Sequence, residues 1–63
     1  MSLNKSQQRE LDKVIAYMPV LGADFAARAI SALHRAAPKA SQQRELHAAA
    51  VAHGLDRSAE WIV

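Results

Sequence analysis

Only four residues in this chain readily interrupt a helix, and they mark out its architecture. Pro19, Gly22, Pro38 and Gly54 fall around three runs whose apolar residues return at spacings of three and four, the signature of one helix face. The first helix is expected from about Ser6 to Tyr17. Asn4 can accept from a first-turn amide, and Gln7, three residues later, suits the reciprocal bond of a capping box. Leu11, Val14, Ile15 and Met18 form its stripe. Pro19 lacks an amide hydrogen and disfavours helical geometry in the residue before it, so it is expected to end the helix.

Val20 to Ala23 reads as a tight apolar connection, with Asp24 as the N-cap of a second helix. Phe25, Ala26, Ala29, Ile30, Leu33 and Ala37 are its expected buried stripe, Arg28, Ser31 and Arg35 its outward side, and Pro38 its stop. Tyr17 and Phe25 are assigned to the core. The third helix opens at Ser41 and buries Leu46, Ala49, Ala50 and His53. Gly54 fits the left-handed position that closes many helices, and Leu55 can fold back behind it. Asp56 or Ser58 caps a last short helix through Glu60, Trp61 and Ile62. The expected fold is all-α: a small bundle of three main helices with a short C-terminal helical stub, in a single helical domain over residues 1–63.

A repeat runs through this plan. Ser6-Gln7-Gln8-Arg9-Glu10-Leu11 returns letter for letter from Ser41 to Leu46, thirty-five residues later. Beyond the six matches only the pattern persists, with Leu11, Val14, Ile15 and Met18 against Leu46, Ala49, Ala50 and His53. The chain therefore divides into two imperfect helix-hairpin units, a complete one over 6–37 and a truncated one over 41–63. Helix-pair repeats of this period stack in tetratricopeptide proteins, but the Trp, Gly and Tyr signals of that family are missing. The same words also make a good helix start used twice, because cap, polar first turn and helix formers converge on them.

Composition turns the truncation into a functional expectation. The chain is 51% apolar, yet fourteen of those residues are alanine, which buries little area. Sixty-three residues without cysteine have no disulfide to offset the poor surface-to-volume ratio of a small domain. Self-association is the most economical remedy. The second unit lacks the partner helix of the first, so Leu46, Ala49, Ala50, Leu55, Trp61 and Ile62 are the expected partner interface. The partner is a second copy, or another protein for which this chain is a regulatory adaptor.

Charge supports a different class of partner. Residues 25–44 carry Arg28, Arg35, Lys39 and Arg44 and no acid, against a net charge of +2 for the whole chain. Four cations on one face could contact about four phosphates of a nucleic acid. Residues 45–58 also resemble the turn of helix-turn-helix proteins, in which a small residue precedes a glycine by four positions, an apolar residue follows it, and a second helix enters the major groove. Ala50, Gly54, Leu55 and Ser58 match. His53 stands where an apolar residue is expected, and Glu60 where the second helix buries a Val or Ile. The resemblance implies a nucleic-acid-binding regulator as the alternative function.

Catalysis, cofactors and metals are not expected. His47 and His53 are six apart and share no helix face as an i, i+4 metal pair would. The acids pair in no recognisable pattern, Gly22 and Gly54 form no phosphate loop, and a domain this small seldom encloses a substrate pocket. The apolar run Val14 to Ala23 is half the length of a membrane span, and the polar N-terminus carries no signal peptide. A cytoplasmic location, no membrane partner and no small-molecule substrate are expected.

Overall fold

The computed structural model describes residues 2–61. Its elements are α1 (Lys5–Leu21), α2 (Ala23–Ala36), α3 (Ala40–Ala52) and one 3-10 turn (Leu55–Arg57). α1 packs on α2, α2 on α3, and the 3-10 turn on both α2 and α3. The protein is a small all-α bundle with α2 at its centre.

The start of α1 follows the capping chemistry of its sequence. Asn4 is extended, its Oδ1 accepts from the Gln7 amide at 2.8 Å, and Gln7 Oε1 accepts from the Asn4 amide at 2.9 Å. Two otherwise orphaned donors are satisfied by one reciprocal pair. Asn4→Ala should cost about 1 kcal/mol of unfolding free energy, read as a lower urea midpoint at unchanged slope.

Pro19 does not end α1; the helix runs through it to Leu21. Proline so near a C-terminus forfeits a single bond, the one its missing amide would have made to Ile15. At the end of the helix the Met18 carbonyl is taken by the Gly22 amide at 2.8 Å. Gly22 is then the whole connection, closing α1 and opening α2 at φ 94, ψ 163, a region that residues with a Cβ scarcely enter. Asp24 is therefore not the N-cap. It lies in the first turn of α2, where a carboxylate still interacts favourably with the helix dipole. Gly22→Ala would meet no neighbouring atom within 4 Å, so its expected cost of about 1–3 kcal/mol is backbone strain alone. A thermal melt of the variant checks it.

The remaining boundaries lie close to expectation. Ala37, before Pro38, leaves the helix at φ −69, ψ 125, as the proline ring demands. α3 opens one residue early, with Lys39 as an N-cap that makes no side-chain bond, so Ser41 sits inside the first turn. Gly54 is left-handed at φ 70, and Leu55 behind it is 1% exposed. The C-terminal stub is shorter than expected: the 3-10 turn at Leu55–Arg57 is its helical part, and Ser58 to Glu60 continue as bend and turn.

The core comprises Leu3, Leu11, Val14, Ala26, Ala27, Ile30, Ala37, Leu46, Ala50 and Leu55, with Ile15, Met18, Ala29, Leu33, Ala49 and Trp61 packed against it. α2 buries a wider arc than a single stripe, because it is covered by α1 on one side and by α3 and the 3-10 turn on the other. That is why Ala27 and Ser31 are buried, although Ser31 was expected to face outward with Arg28 and Arg35. Tyr17 and Phe25, expected in the core, are exposed, and so is His53.

The two copies of the hexapeptide meet. Gln7 Nε2 donates to Oε1 of Gln42, its counterpart thirty-five residues on, at 3.2 Å. Gln42 is buried and donates in turn to the Ser2 carbonyl, while the Glu45 carboxylate accepts from the amides of Ser2 and Leu3. α1 and α3 therefore start at the same end of the bundle, and the segment before α1 is pinned there with Leu3 in the core.

Candidate functional site

The residues expected at a partner interface fall into three groups. Leu46, Ala50 and Leu55 belong to the chain's own core, at 0%, 0% and 1% exposure. Their apolarity is consumed within the fold, which corrects their assignment to an open surface. Ala49 and Trp61 are half-buried and pack against that core. Ile62 lies outside the described residues.

What covers α3 is the chain itself. Beyond Gly54 the polypeptide passes along α2, and its contacts advance in step. Ser58 Oγ donates to Asp24 Oδ1 at 3.4 Å, Arg28 pairs with Glu60 at 3.0 Å, and Trp61 lies edge-on to His34 with ring centroids 5.7 Å apart. Trp61 also meets His47 of α3 at 5.9 Å, and the two imidazoles are 6.5 Å apart. Residues 55–61 thus act as a strap across α2 and α3. No second helix follows Gly54 among the described residues, so the recognition helix that the helix-turn-helix resemblance implies is not formed there.

Val51 of α3 is exposed singly at 51%, and the other exposed large apolar residues gather at the corner where α1 gives way to α2. Tyr17 is 49% exposed, Val20 80%, Leu21 53% and Phe25 38%. The outer row of α1 explains it. Ser6, Arg9, Lys13, Tyr17 and Val20 recur at spacings of three and four and are all exposed, so the row turns from polar to apolar along its length. Between Lys13 and Arg28 the one charged residue is Asp24. Depletion of charge with aromatic and aliphatic exposure is what distinguishes the centre of an interface from ordinary surface. This corner went unrecognised in the sequence because Val20 and Leu21 were read as a connection and the two aromatics as core.

The basic residues divide. Arg28 is occupied by Glu60, whereas Arg35, Lys39 and Arg44 are exposed and, among the described residues, have no carboxylate within ion-pair distance. Arg44 lines an open depression of about 290 Å³ with His34, Ala40, Gln43 and His47. Gln43 Nε2 is spent on the carbonyls of His34 and Ala37, each at 3.4 Å. A second depression of about 430 Å³ lies against the start of α1, between Leu3, Asn4, Lys5, Gln8, Arg9 and Asp12. No group of three or more His, Cys, Asp or Glu able to hold a metal occurs among the described residues, and none of their helices is long and apolar enough to cross a membrane. No family model, no curated protein and no solved structure matches this chain.

Proposed function

We propose that this protein is a non-enzymatic protein–protein interaction module that pairs with a second copy of itself through the α1–α2 corner. The observation that carries the reading is the exposure of Tyr17, Val20, Leu21 and Phe25 in a stretch whose one charge is Asp24. Energetics favour the same conclusion. Among the described residues only Ile30, Leu46 and Leu55 are large side chains buried completely, and four of the core residues are alanine. A second copy supplies the apolar burial that the chain alone lacks. A standard interface takes about 800 Å² from each partner, roughly a fifth of the 4131 Å² this chain exposes. A face of that size can hold the whole corner and a polar rim.

Sedimentation equilibrium over a micromolar concentration range tests this reading. Dimer is expected to accumulate with concentration, and a monomer throughout would retire it.

A second reading rests on Arg35, Lys39 and Arg44, which are exposed and free of ion pairs among the described residues. In that reading the basic end of the bundle contacts the backbone of a nucleic acid. With Arg28 engaged by Glu60, three cations remain, and duplex binding would weaken with a log–log salt slope of about −3. A shift assay on random duplex at two salt concentrations distinguishes the two readings.

A further inference from the structure

We infer that the depression between the last turn of α2 and the outer face of α3 is a binding site for a phosphate group. Its volume is about 290 Å³ and its lining is His34, Ala40, Gln43, Arg44 and His47. α3 contributes Ala40, Gln43, Arg44 and His47 from positions that share one helix face, and His34 closes the site from α2. The lining contains no carboxylate. The Gln43 amide nitrogen is already committed to the carbonyls of His34 and Ala37, which removes those acceptors from competition at the α2 terminus. The donors that remain are the Arg44 guanidinium and the two imidazoles.

Arg44 differs from Arg28 in having no acid to hold it among the described residues. A guanidinium presents a planar fork of N–H groups whose geometry matches phosphate oxygens in pairs. The imidazoles are not loose. Trp61 lies 5.7 Å from His34 and 5.9 Å from His47, centroid to centroid, so one aromatic side chain braces both rings. No acid occurs from Phe25 to Arg44, a stretch that also carries Arg35 and Lys39, and their field favours an anion over a cation at this end of the bundle. The site is independent of the apolar corner and does not depend on whether the chain pairs. The phosphate can belong to a free ester or to a nucleic-acid backbone.

Trp61 is the sole tryptophan and reports directly on the site. The full chain is titrated with inorganic phosphate at constant ionic strength, following Trp61 fluorescence and the imidazole proton signals of His34 and His47. The expected result is a saturable change in both, with half-saturation on the order of 1 mM. Arg44→Gln should raise the half-saturation concentration at least tenfold, and Arg44→Lys, which keeps the charge and loses the fork, should fall between. Arg57→Gln should leave it unaltered. Circular dichroism confirms that each variant is folded. A parallel titration with duplex DNA assigns the source: saturation by phosphate without duplex binding indicates a free ester, and duplex binding that phosphate displaces indicates a backbone. The inference is overturned by a response that does not saturate, by an equal response to chloride, or by an Arg44→Gln variant that binds as the unsubstituted chain does.

Discussion

Leu46→Ala is expected to remove about 2–5 kcal/mol of folding stability, enough to leave much of the population unfolded without denaturant. Leu46 is 0% exposed and carries α3 into the cluster that also holds Ile30 and Leu55. The cost of such a truncation depends on how far the surroundings collapse into the space left behind. Here they collapse poorly. Ala26, Ala27, Ala37 and Ala50 make up much of that cluster, and a methyl group has no rotamer with which to fill a void. The effect therefore belongs in the upper part of the range. Domains hold roughly 0.05–0.15 kcal/mol of stability per residue, so a chain this short has little to spare. Urea unfolding followed by circular dichroism measures the change. Val51→Ala, at a position 51% exposed on α3, serves as the comparison and should alter stability by less than about 0.5 kcal/mol. A loss below about 1 kcal/mol for Leu46→Ala would contradict the core described above.

Local chemistry was the legible part of this fold. The Asn4–Gln7 capping box, the extended residue before Pro38, and the left-handed Gly54 with Leu55 folded behind it each depend on neighbours within a few positions. The letters that specify them are adjacent, and the physics is nearly independent of the rest of the molecule. Pro19 was misread for a related reason. Proline removes its own amide bond to the residue four back, which leaves the residues after it free to stay helical, and Gly22 rather than the proline sets where α1 ends.

Long-range consequences were less legible. α2 buries Ala27 and Ser31 because its neighbours wrap more than one side of it, and no periodicity within α2 announces how many neighbours it has. Leu3 is held in the core through Glu45 and Gln42, two residues of the second hexapeptide. The repeat was visible as letters, whereas its role as a polar seam between the starts of α1 and α3 required the bundle. The same limit governs the candidate interface. Leu46, Ala50 and Leu55 are apolar at helical spacing, a pattern that core and docking face share, and burial alone separates them. Only the outer row of α1 held a readable signal. Tyr17 and Val20 continue the polar positions Ser6, Arg9 and Lys13, and apolar residues in a solvent-facing row have no structural employment within the chain.

Val20→Asp is therefore expected to abolish pairing while leaving the fold intact. At 80% exposure Val20 contributes little to the core, so the unfolding free energy of the monomer should shift by less than about 0.5 kcal/mol, and only the concentration-dependent stability that pairing adds is lost. Association is another matter, because a carboxylate placed at the centre of an apolar contact loses its hydration without gaining a partner. In a two-fold pair the same surface is used by both copies, so every substitution enters twice and the two new charges repel. A buried unpaired charge costs several kcal/mol, which raises the dissociation constant at least a hundredfold and leaves monomer across the micromolar range. Arg35→Asp introduces a carboxylate in the last turn of α2, far along the helix from Phe25, and should leave the association constant within about threefold of its original value. Sedimentation equilibrium of the three proteins, with urea unfolding alongside, separates loss of pairing from loss of fold. A Val20→Asp chain that pairs as tightly as the unsubstituted one would place the contact elsewhere and remove the corner from the account, because an uncompensated charge cannot sit unnoticed at the middle of an apolar interface.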